Sequence, residues 1–490
     1  MIVLYNPVSS ASKKPVLPMS LLSLGALLEG VEEYRIVDGN LVADGLSALR
    51  EALRETKADM LAMTVMPGPQ LSNAAPICKA IKAEFKNLTI VWGGYFPTLH
   101  GGVVMKESYV DFIFRGHTER SFAKFLSAFR RGEDVSGLEG IGMRGADGAI
   151  RLNPVSSVPN INELPDFPYH RIDMERYVRA SFMGTRTVAH HSSYGCPFKC
   201  NFCAVVNQVN GRYSAQTAAR TASVVENLVR SYRATAIEFF DSNFFVHEGR
   251  AVEFSERITP LGIGWWGFGR PDTMLKFSDA TFAAMQKSGL KMVFMGGEAG
   301  DDDMLHRMNR GGRHDTNTIL AIVEKMARFN IVPEVSFIVG NPPDPETDLD
   351  KTLAFIRRVK RVNPASEIIF NVYSPVPLAG AMTNEAHSAG FAFPETIDMW
   401  LQAPWEEFAQ HRSSELPWMT KRVRRKVRNF QQVLHAAYPT VTDIRLTGLA
   451  RLALKSVASW RYAAKFYDFP LELRAVNKLF PYHRPEIDGF

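Results

Sequence analysis

The chain has 490 residues, of which 46% are hydrophobic and 22% are charged, with a net charge of +6. This length predicts two or three domains with sizeable cores, and no apolar run approaches the roughly 20 residues that span a bilayer. No signal-peptide pattern is found in the sequence, so we expect a cytoplasmic protein. The mild basic excess suits an anionic partner without indicating nucleic acid.

Residues 1–140 alternate short β-rich blocks with longer helical patterns. The blocks predict strands at 2–5, 34–37, 59–65, 89–92 and 110–114. The patterns predict helices at 19–30, 43–56, 71–85 and 118–131. Such alternation predicts an α/β fold that opens with a Rossmann-like, doubly wound parallel sheet.

Small, polar or turn-forming residues follow these predicted strands. They include Asp38, Thr64, Val65, Gly93, Gly94 and Gly116. Ligands of such sheets bind beyond the carboxyl ends of the strands, where glycine permits close backbone approach. Ordinary turns are the alternative interpretation. No GxGxxG follows the first strand, which disfavours a nicotinamide or flavin site.

Four prolines in residues 141–183 predict a linker between two domains. The alternation resumes over residues 184–390, and strands are expected at 186–193, 235–245, 262–272, 291–300, 332–342 and 367–375. Residues 391–490 read as a helical C-terminal region. Its basic run at 421–428 is interpreted as a solvated helix face beside an aromatic core. A cap over the substrate, or peripheral contact with acidic lipid headgroups, is the alternative.

Three of the four cysteines, Cys196, Cys200 and Cys203, form a CxxxCxxC motif. A compact loop with this spacing can direct three thiolates at a metal. A structural zinc would require a fourth ligand, which His190 or His191 could supply, and a disulfide would leave one odd thiol. The interpretation that we favour is a [4Fe-4S] cluster with one iron open to a substrate or cofactor.

The motif, with the aromatic Phe202 before its third cysteine, resembles the signature of the radical S-adenosylmethionine (SAM) superfamily. The resemblance implies a partial (β/α)6 barrel, SAM on the open iron, a 5′-deoxyadenosyl radical, and a flavodoxin or ferredoxin-like electron donor. It also implies a set of SAM-binding positions. These are Phe202, Asp241, Asn243, Arg270, Glu298 and Val339. Residues 305–312 resemble a further family segment.

The N-terminal part resembles the cobalamin-binding domain that precedes many radical SAM domains. The resemblance rests on Pro18 and Ser20 in the first loop and helix, the Gly93–Gly94 pair, and Glu119 after the fifth strand. By their positions, Asp38, Thr64, Val65 and Gly116 join this set of expected cobalamin-binding residues.

Two positions depart from this family's pattern: Phe96 replaces a frequent His, and His117 a frequent Glu. The DxHxxG cobalt-ligand motif is absent. The resemblance therefore implies cobalamin bound base-off, without a protein ligand on its lower face.

Together these features resemble the cobalamin-dependent radical SAM enzymes, which include methylases and the anaerobic magnesium-protoporphyrin monomethyl ester cyclase. We expect methylation of an unactivated carbon in a small-molecule or lipid-like substrate. A ring-forming oxidative cyclase and a non-catalytic cobalamin or redox sensor are the alternatives. A methylthiotransferase is disfavoured because Cys78 alone cannot hold a second cluster.

Overall fold

The computed structural model describes residues 1–9, 15–308, 314–411, 416–440, 442 and 446–479, with side chains to 476. Its first sheet has seven strands: β1 (Ile2–Asn6), β2 (Tyr34–Asp38), β3 (Met60–Thr64), β4 (Thr89–Gly93), β5 (Phe112–Phe114), β6 (Ile141–Arg144) and β7 (Ile150–Leu152). Their order is β2-β1-β3-β4-β5-β6-β7. Strands β1 to β5 are parallel, whereas β6 and β7 are antiparallel.

Helices cover both faces of this sheet: α1 (Met19–Leu28), α2 (Gly45–Thr56), α3 (Pro69–Glu84), α4 (Tyr95–Val104) and α5 (Glu119–Arg130). All five residues of β1 are buried. Ile2 and Leu4 join the core that contains α1 and α5, while Val3 and Tyr5 join the core on the opposite face. A strand buried on both faces is continuously apolar, which is why β1 lacks alternation. The doubly wound sheet is therefore confirmed.

The segment predicted as a linker contributes to both sheets. Its first part forms the β6–β7 hairpin at the edge of the first sheet, and its last part, β8 (Arg179–Ser181), pairs with the second sheet. Between them lie three 3-10 turns, at Ile161–Glu163, Tyr169–Arg171 and Met174–Arg176. Only the middle of this segment is therefore a connector.

The second sheet contains seven strands: β8, β9 (Gly184–His190), β12 (Ala236–Phe239), β13 (Gly264–Gly269), β14 (Leu290–Glu298), β15 (Val332–Val339) and β16 (Glu367–Val372). Between β9 and β12 in the chain, β10 (Ser193–Gly195) and β11 (Tyr213–Ala215) form a separate antiparallel pair. Its order is β16-β15-β14-β13-β12-β9-β8. Six of these strands, β9 and β12 to β16, run parallel in sequence order. This is the expected partial (β/α)6 barrel.

The helices of this part are α6 (Val205–Val209), α7 (Ala218–Tyr232), α8 (Glu248–Ile258), α9 (Pro271–Met274), α10 (Asp279–Lys287), α11 (Asp302–Arg307), α12 (Thr316–Arg328) and α13 (Pro345–Val362). The face of the sheet away from the main helix-packed core has an aromatic cluster in which Trp266 contacts Phe240 and Phe268. All six parallel strands end at one edge, and the segments after β4 and β5 reach this edge, since α4 packs against α6 and His117 stacks on Tyr194. Sites in such folds form at this edge.

The C-terminal region is helical, as predicted: α14 (Ala381–Ser388), α15 (Ile397–Trp400), α16 (Ala403–Ala409), α17 (Lys421–Ala437), α18 (Gly448–Ala464) and α19 (Leu471–Leu479). Trp400 contacts Phe96 on α4, with ring centroids 5.3 Å apart. Trp418 Nε1 donates to the carbonyl of Gly340, after β15, at 2.8 Å. The region thus joins both α/β domains across their strand ends.

The basic run on α17 faces α13, because Arg422 pairs with Glu346 at 2.9 Å and Lys426 pairs with Asp350. The described helices include none that is long and apolar enough to cross a membrane.

Candidate functional site at the strand ends

The three cysteines lie in the loop between β10 and α6. The loop begins at Gly195, whose φ of +76° is left-handed and whose missing Cβ would lie 2.3 Å from the carbonyl oxygen of Arg212. That same oxygen accepts a hydrogen bond from the Cys196 amide at 3.1 Å. Only glycine therefore allows the chain to enter the motif in this conformation.

The thiols are close enough to influence one another. Burial, followed by the negative charge of Cys200, Cys196 and Glu298, raises the pKa of Cys203 to about 12. Such thiols ionise when they bind a cation, because the metal supplies the missing positive charge. The donor set therefore fits a thiolate-bound metal cluster.

The arrangement does not fit a single zinc ion. Within the described ranges, no group of three or more His, Cys, Asp or Glu side chains is placed to hold one metal ion. Of the two alternative fourth ligands, His190 and His191, the first is 1% exposed, and its Nδ1 and Nε2 contact Tyr169 and Gln216 at 2.8 and 3.3 Å. The second is half-buried, and desolvation lowers its pKa. Each thiolate of an iron-sulfur cluster binds a different iron, so its ligands stand further apart than those of one ion.

Arg270, at the end of β13, contacts the cluster loop directly. Its Nη1 donates to Cys200 Sγ at 3.3 Å, and its guanidinium lies 3.8 Å from the centre of the Phe198 ring. Two further nitrogens bind Asp272, at 3.0 and 2.9 Å. These contacts hold a buried cation against the Cys200 thiol, whereas the SAM contact expected for Arg270 stays a prediction.

Asp241 holds the two serines that precede the cysteine loop. Its oxygens accept hydrogen bonds from the amides of Ser192 and Ser193, at 2.5 and 2.9 Å, and from Ser192 Oγ at 2.5 Å. Arg250 also donates to Ser192 Oγ, at 2.6 Å. In this structure Asp241 therefore orients the residues that lead into the cysteines, and its predicted contact with SAM stays untested.

Asn243 is the best-placed polar group for a ligand. It is 1% exposed, yet neither its Oδ1 nor its Nδ2 has a hydrogen-bond partner in the described part of the chain. A buried amide with both atoms unpaired costs about 1–3 kcal/mol per lost partner, so it fits a polar ligand that supplies both. The polar groups of SAM meet this requirement.

The other predicted SAM-binding residues surround the same edge. Glu298, the last residue of β14, has a left-handed φ of +62° and is buried. Val339, the last residue of β15, is buried in the hydrophobic core, so only its backbone faces this edge. Phe202 packs partly buried against the same core. The segment at 305–312 lies partly outside the described residues.

The loops after β3 and β4 pack closely against each other because Gly94 has no side chain. Gly94 has a φ of +98°, and a Cβ on it would lie 2.8 Å from Thr64 Oγ1 and 3.0 Å from the Val65 amide. Val65 exchanges backbone hydrogen bonds with Gly93 and Phe96, at 2.8 and 2.9 Å. In contrast, a Cβ on Gly93 would have one neighbour within 4 Å, a backbone oxygen at 3.9 Å. We call this backbone surface at Gly93 and Gly94, which carries no side chains, the glycine floor. It fits a large planar cofactor such as cobalamin.

Gly116 closes the neighbouring loop, since it has a φ of +88° and its amide binds Thr98 Oγ1 at 3.0 Å. Asp38, in contrast, is saturated: it accepts from Asn6, from Asn40 and, at 2.7 Å, from the Tyr177 hydroxyl. Asp38 therefore fastens β2 to the connector. Pro18 precedes α1 without a capping side chain, and Ser20 is exposed on its first turn.

The cysteine loop and the first domain meet in a buried junction. Tyr194, two residues before Cys196, shares a 2.8 Å hydrogen bond with Ser23 Oγ on α1. Ser23 Oγ donates to Glu119 Oε1 at 3.1 Å, and His117 stacks on the Tyr194 ring at 4.7 Å. Sequence reasoning noted His117 and Glu119 but missed Tyr194 and Ser23, which lie 171 residues apart.

Tyr95 forms a second link between the domains. It begins α4 directly after the glycine pair, and α4 packs against α6, which follows Cys203. Burial, followed by the charge of the Cys203 thiolate, raises the pKa of Tyr95 well above its usual range. The glycine floor and the cysteine loop are therefore neighbours.

Comparison with protein families decides between the interpretations of the two domains. Residues 6–126 match the B12-binding domain, and residues 191–356 match the radical SAM superfamily. The chain is a B12-binding radical SAM protein. A radical SAM domain uses a [4Fe-4S] cluster and SAM, and the B12-binding domain adds cobalamin, so the three expected cofactors are confirmed.

Curated relatives of this radical SAM protein include two enzymes that are named for different reactions. An uncharacterized methyltransferase of Pyrococcus horikoshii is 25% identical over 73% of this chain and 78% of the relative. The anaerobic magnesium-protoporphyrin IX monomethyl ester cyclase of Synechocystis is 24% identical over 69% of this chain and 68% of the relative.

Solved structures share the fold. The radical SAM methyltransferase TsrM of Kitasatospora setae is 15% identical, with a TM-score of 0.68 over 98% of both chains. The cobalamin-dependent radical SAM enzyme OxsB is 16% identical, with a TM-score of 0.63. The match covers 84% of this chain but only 56% of OxsB. The likeness to TsrM extends through the C-terminal helices.

Proposed function

We propose that this radical SAM protein is a cobalamin-dependent methyltransferase that acts on an unactivated carbon of a small-molecule substrate. The observation that carries the proposal is the shared edge of the two domains. Helix α4, which follows the Gly93–Gly94 pair, packs against α6, which follows the cysteine loop, and Tyr194 beside that loop hydrogen-bonds Ser23 on α1. Methyl transfer to a carbon radical requires both cofactors to reach the same atom.

The bound cofactors supply a 5′-deoxyadenosyl radical for hydrogen removal and a methyl group for the carbon radical that results. The chain's own residues hold these groups. Arg270 hydrogen-bonds a cluster ligand, Asp241 fixes the loop, and Asn243 offers an amide donor and acceptor to SAM. The glycine floor accepts cobalamin, and the C-terminal helices cover the strand ends.

A cyclase is the second candidate, because the Synechocystis relative is named as one. A ring-forming enzyme would use the same radical without transferring a methyl group from SAM. The two reactions therefore differ in the fate of the SAM methyl group rather than in the cluster chemistry.

The test uses anaerobic holoenzyme, SAM carrying a deuterated methyl group, and a chemical reductant. A methyltransferase should convert its reduced cobalamin to labelled methylcobalamin and should also release 5′-deoxyadenosine, both measured by mass spectrometry. Release of 5′-deoxyadenosine without labelled methylcobalamin would favour the cyclase. If neither product forms, the protein is a sensor. In the Cys200→Ala variant, release of 5′-deoxyadenosine should be lost.

A further inference from the structure

The far side of the C-terminal region carries an unusual concentration of exposed apolar side chains. Twelve large apolar residues are exposed in the described part of the chain, and six of them lie within residues 449–471. The six are Leu449 (82% exposed), Leu452 (63%), Trp460 (53%), Phe466 (45%), Phe469 (61%) and Leu471 (62%). We name this set the α18 stripe. Monomeric proteins rarely expose contiguous apolar patches without a binding role.

Three members of the stripe lie on one face of α18, and the other face of this helix is already packed. Leu449, Leu452 and Trp460 are spaced so that they share one side of α18. The opposite side is buried through Ala450, Leu454, Ala458 and Tyr462. Because α18 is held by this inner face, its outer face contributes nothing to the core and is presented on a firm support.

The end of the stripe is also ordered by local contacts. The Phe466 ring stacks on Trp460, with centroids 6.1 Å apart. Arg461, itself buried, binds the carbonyls of Asp468 and Phe469 at 2.8 and 3.2 Å. These bonds fix the turn after α18, so Phe469 is displayed at a defined position beside the helix.

The surroundings of the stripe are basic. Lys455 and Lys465 are exposed on α18 and at its end, and the Arg425 guanidinium lies 6.0 Å from the Phe469 ring centre. Residues 446–476 contain five Lys or Arg and only two acids, Asp468 and Glu472. Glu472 is already paired with Arg461. A partner therefore meets apolar side chains framed by positive charge.

We propose that the α18 stripe docks this protein on an anionic lipid bilayer surface. Leu449, Leu452 and Trp460 enter the boundary between headgroups and acyl chains, where tryptophan is favoured, and the flanking cations contact lipid phosphates. The surface shares Arg425 with the basic run at 421–428, but Arg422 and Lys426 of that run are paired with α13. The positive flanks favour an anionic bilayer over a second copy of the chain, because a second copy would bring the same cations together.

The experiment is flotation of the full-length holoenzyme with phosphatidylcholine vesicles, with and without phosphatidylglycerol. We expect flotation only when phosphatidylglycerol is present, and we expect added salt to weaken it. The Leu449→Glu/Leu452→Glu variant should bind at least about tenfold more weakly, since it buries charge at the interface. Its melting temperature and 5′-deoxyadenosine release should be unchanged, because both side chains are exposed.

The control is Val31→Glu, which places one such charge at a residue that is 79% exposed outside the stripe. This variant should float like the original protein. Equal flotation of the double variant, or no flotation with phosphatidylglycerol, would overturn the proposal. So would a concentration-dependent dimer that the double variant abolishes, since the stripe would then bind a second copy.

Discussion

At the residue scale, we expect Arg270 to raise the midpoint potential of the cluster. A charge-assisted hydrogen bond is worth about 1.5–3 kcal/mol, and bonds to cluster sulfurs stabilise the reduced cluster. Arg270→Lys keeps the charge but loses the fork that spans Cys200 and Asp272. We expect the cluster's midpoint potential to become more negative and 5′-deoxyadenosine release to fall about tenfold. Redox titration followed by electron paramagnetic resonance measures the potential.

Asp272→Asn is the companion variant, because it weakens the ion pair with Arg270 and leaves the arginine in place. Because this substitution also removes a negative charge beside the cysteine loop, its midpoint potential should be less negative than that of Arg270→Lys. Unchanged potentials in both variants would show that Arg270 does not act on the cluster.

His190 makes a residue-scale prediction about pH. Burial lowers its pKa from 6.5 to about 4, so the folded protein holds it neutral. As pH falls from about 6.5 towards 4, His190 takes up a proton in the unfolded chain but stays neutral in the folded chain. Stability from this group is therefore complete above pH 6.5 and declines below it, by about 3 kcal/mol in full.

Urea unfolding of the cofactor-free protein between pH 7 and 5 measures this contribution. The His190→Gln variant should lose less stability over that range than the original protein. His170→Gln is the control, since His170 is exposed and its side chain is 66% accessible. Parallel curves for the original protein and His190→Gln would contradict the assignment.

At the scale of elements, the glycine floor depends on one left-handed residue. Gly94→Ala would force a Cβ against Thr64 and Val65 and strain a φ of +98°, at a cost of about 1–3 kcal/mol. We expect a severalfold loss of bound cobalamin with unchanged iron content, measured by absorbance and metal analysis. A Cβ on Gly102, in the helix α4 that follows Gly94, would have no neighbour within 4 Å, so Gly102→Ala should retain cobalamin. Equal retention in both variants would exclude the floor as the cobalamin site.

Most strands were predictable because each is a short apolar block followed by a turn, as in β15. Helix α4 was missed, since Pro97 and the Gly101–Gly102 pair interrupt any helical pattern. The β6–β7 hairpin was missed because strands of four and three residues carry too little periodicity.

Side-chain roles were harder to predict than elements. The sequence identified the cysteines through their spacing, but it could not distinguish a carboxylate saturated by its neighbours from a ligand contact. Asp38 and Asp241 were both expected to bind cofactors; each accepts several hydrogen bonds from protein donors, and their contacts with cofactors stay predictions. Hydrogen-bond saturation depends on residues distant in sequence, which no local pattern records.

At the scale of the whole molecule, the reaction depends on how the two domains are held together. The C-terminal region braces them from one side, where Trp400 meets His100 with ring centroids 4.7 Å apart. The Tyr194 junction links them beside the cysteines. Neither contact belongs to a cofactor-binding loop alone, so the distance between the cofactors is a property of the assembled chain.

Tyr194→Phe tests this arrangement with the smallest change. It removes the hydrogen bond to Ser23, worth about 1 kcal/mol, and keeps a ring on which His117 can stack. We expect unchanged iron and cobalamin contents but a weaker or more widely distributed magnetic coupling between the reduced cluster and cob(II)alamin, measured by electron paramagnetic resonance. Tyr232→Phe, on the outer helix α7, should leave the coupling unaltered. Because the hydroxyl is the only group lost in Tyr194→Phe, an identical spectrum would mean that other contacts set the spacing of the cofactors.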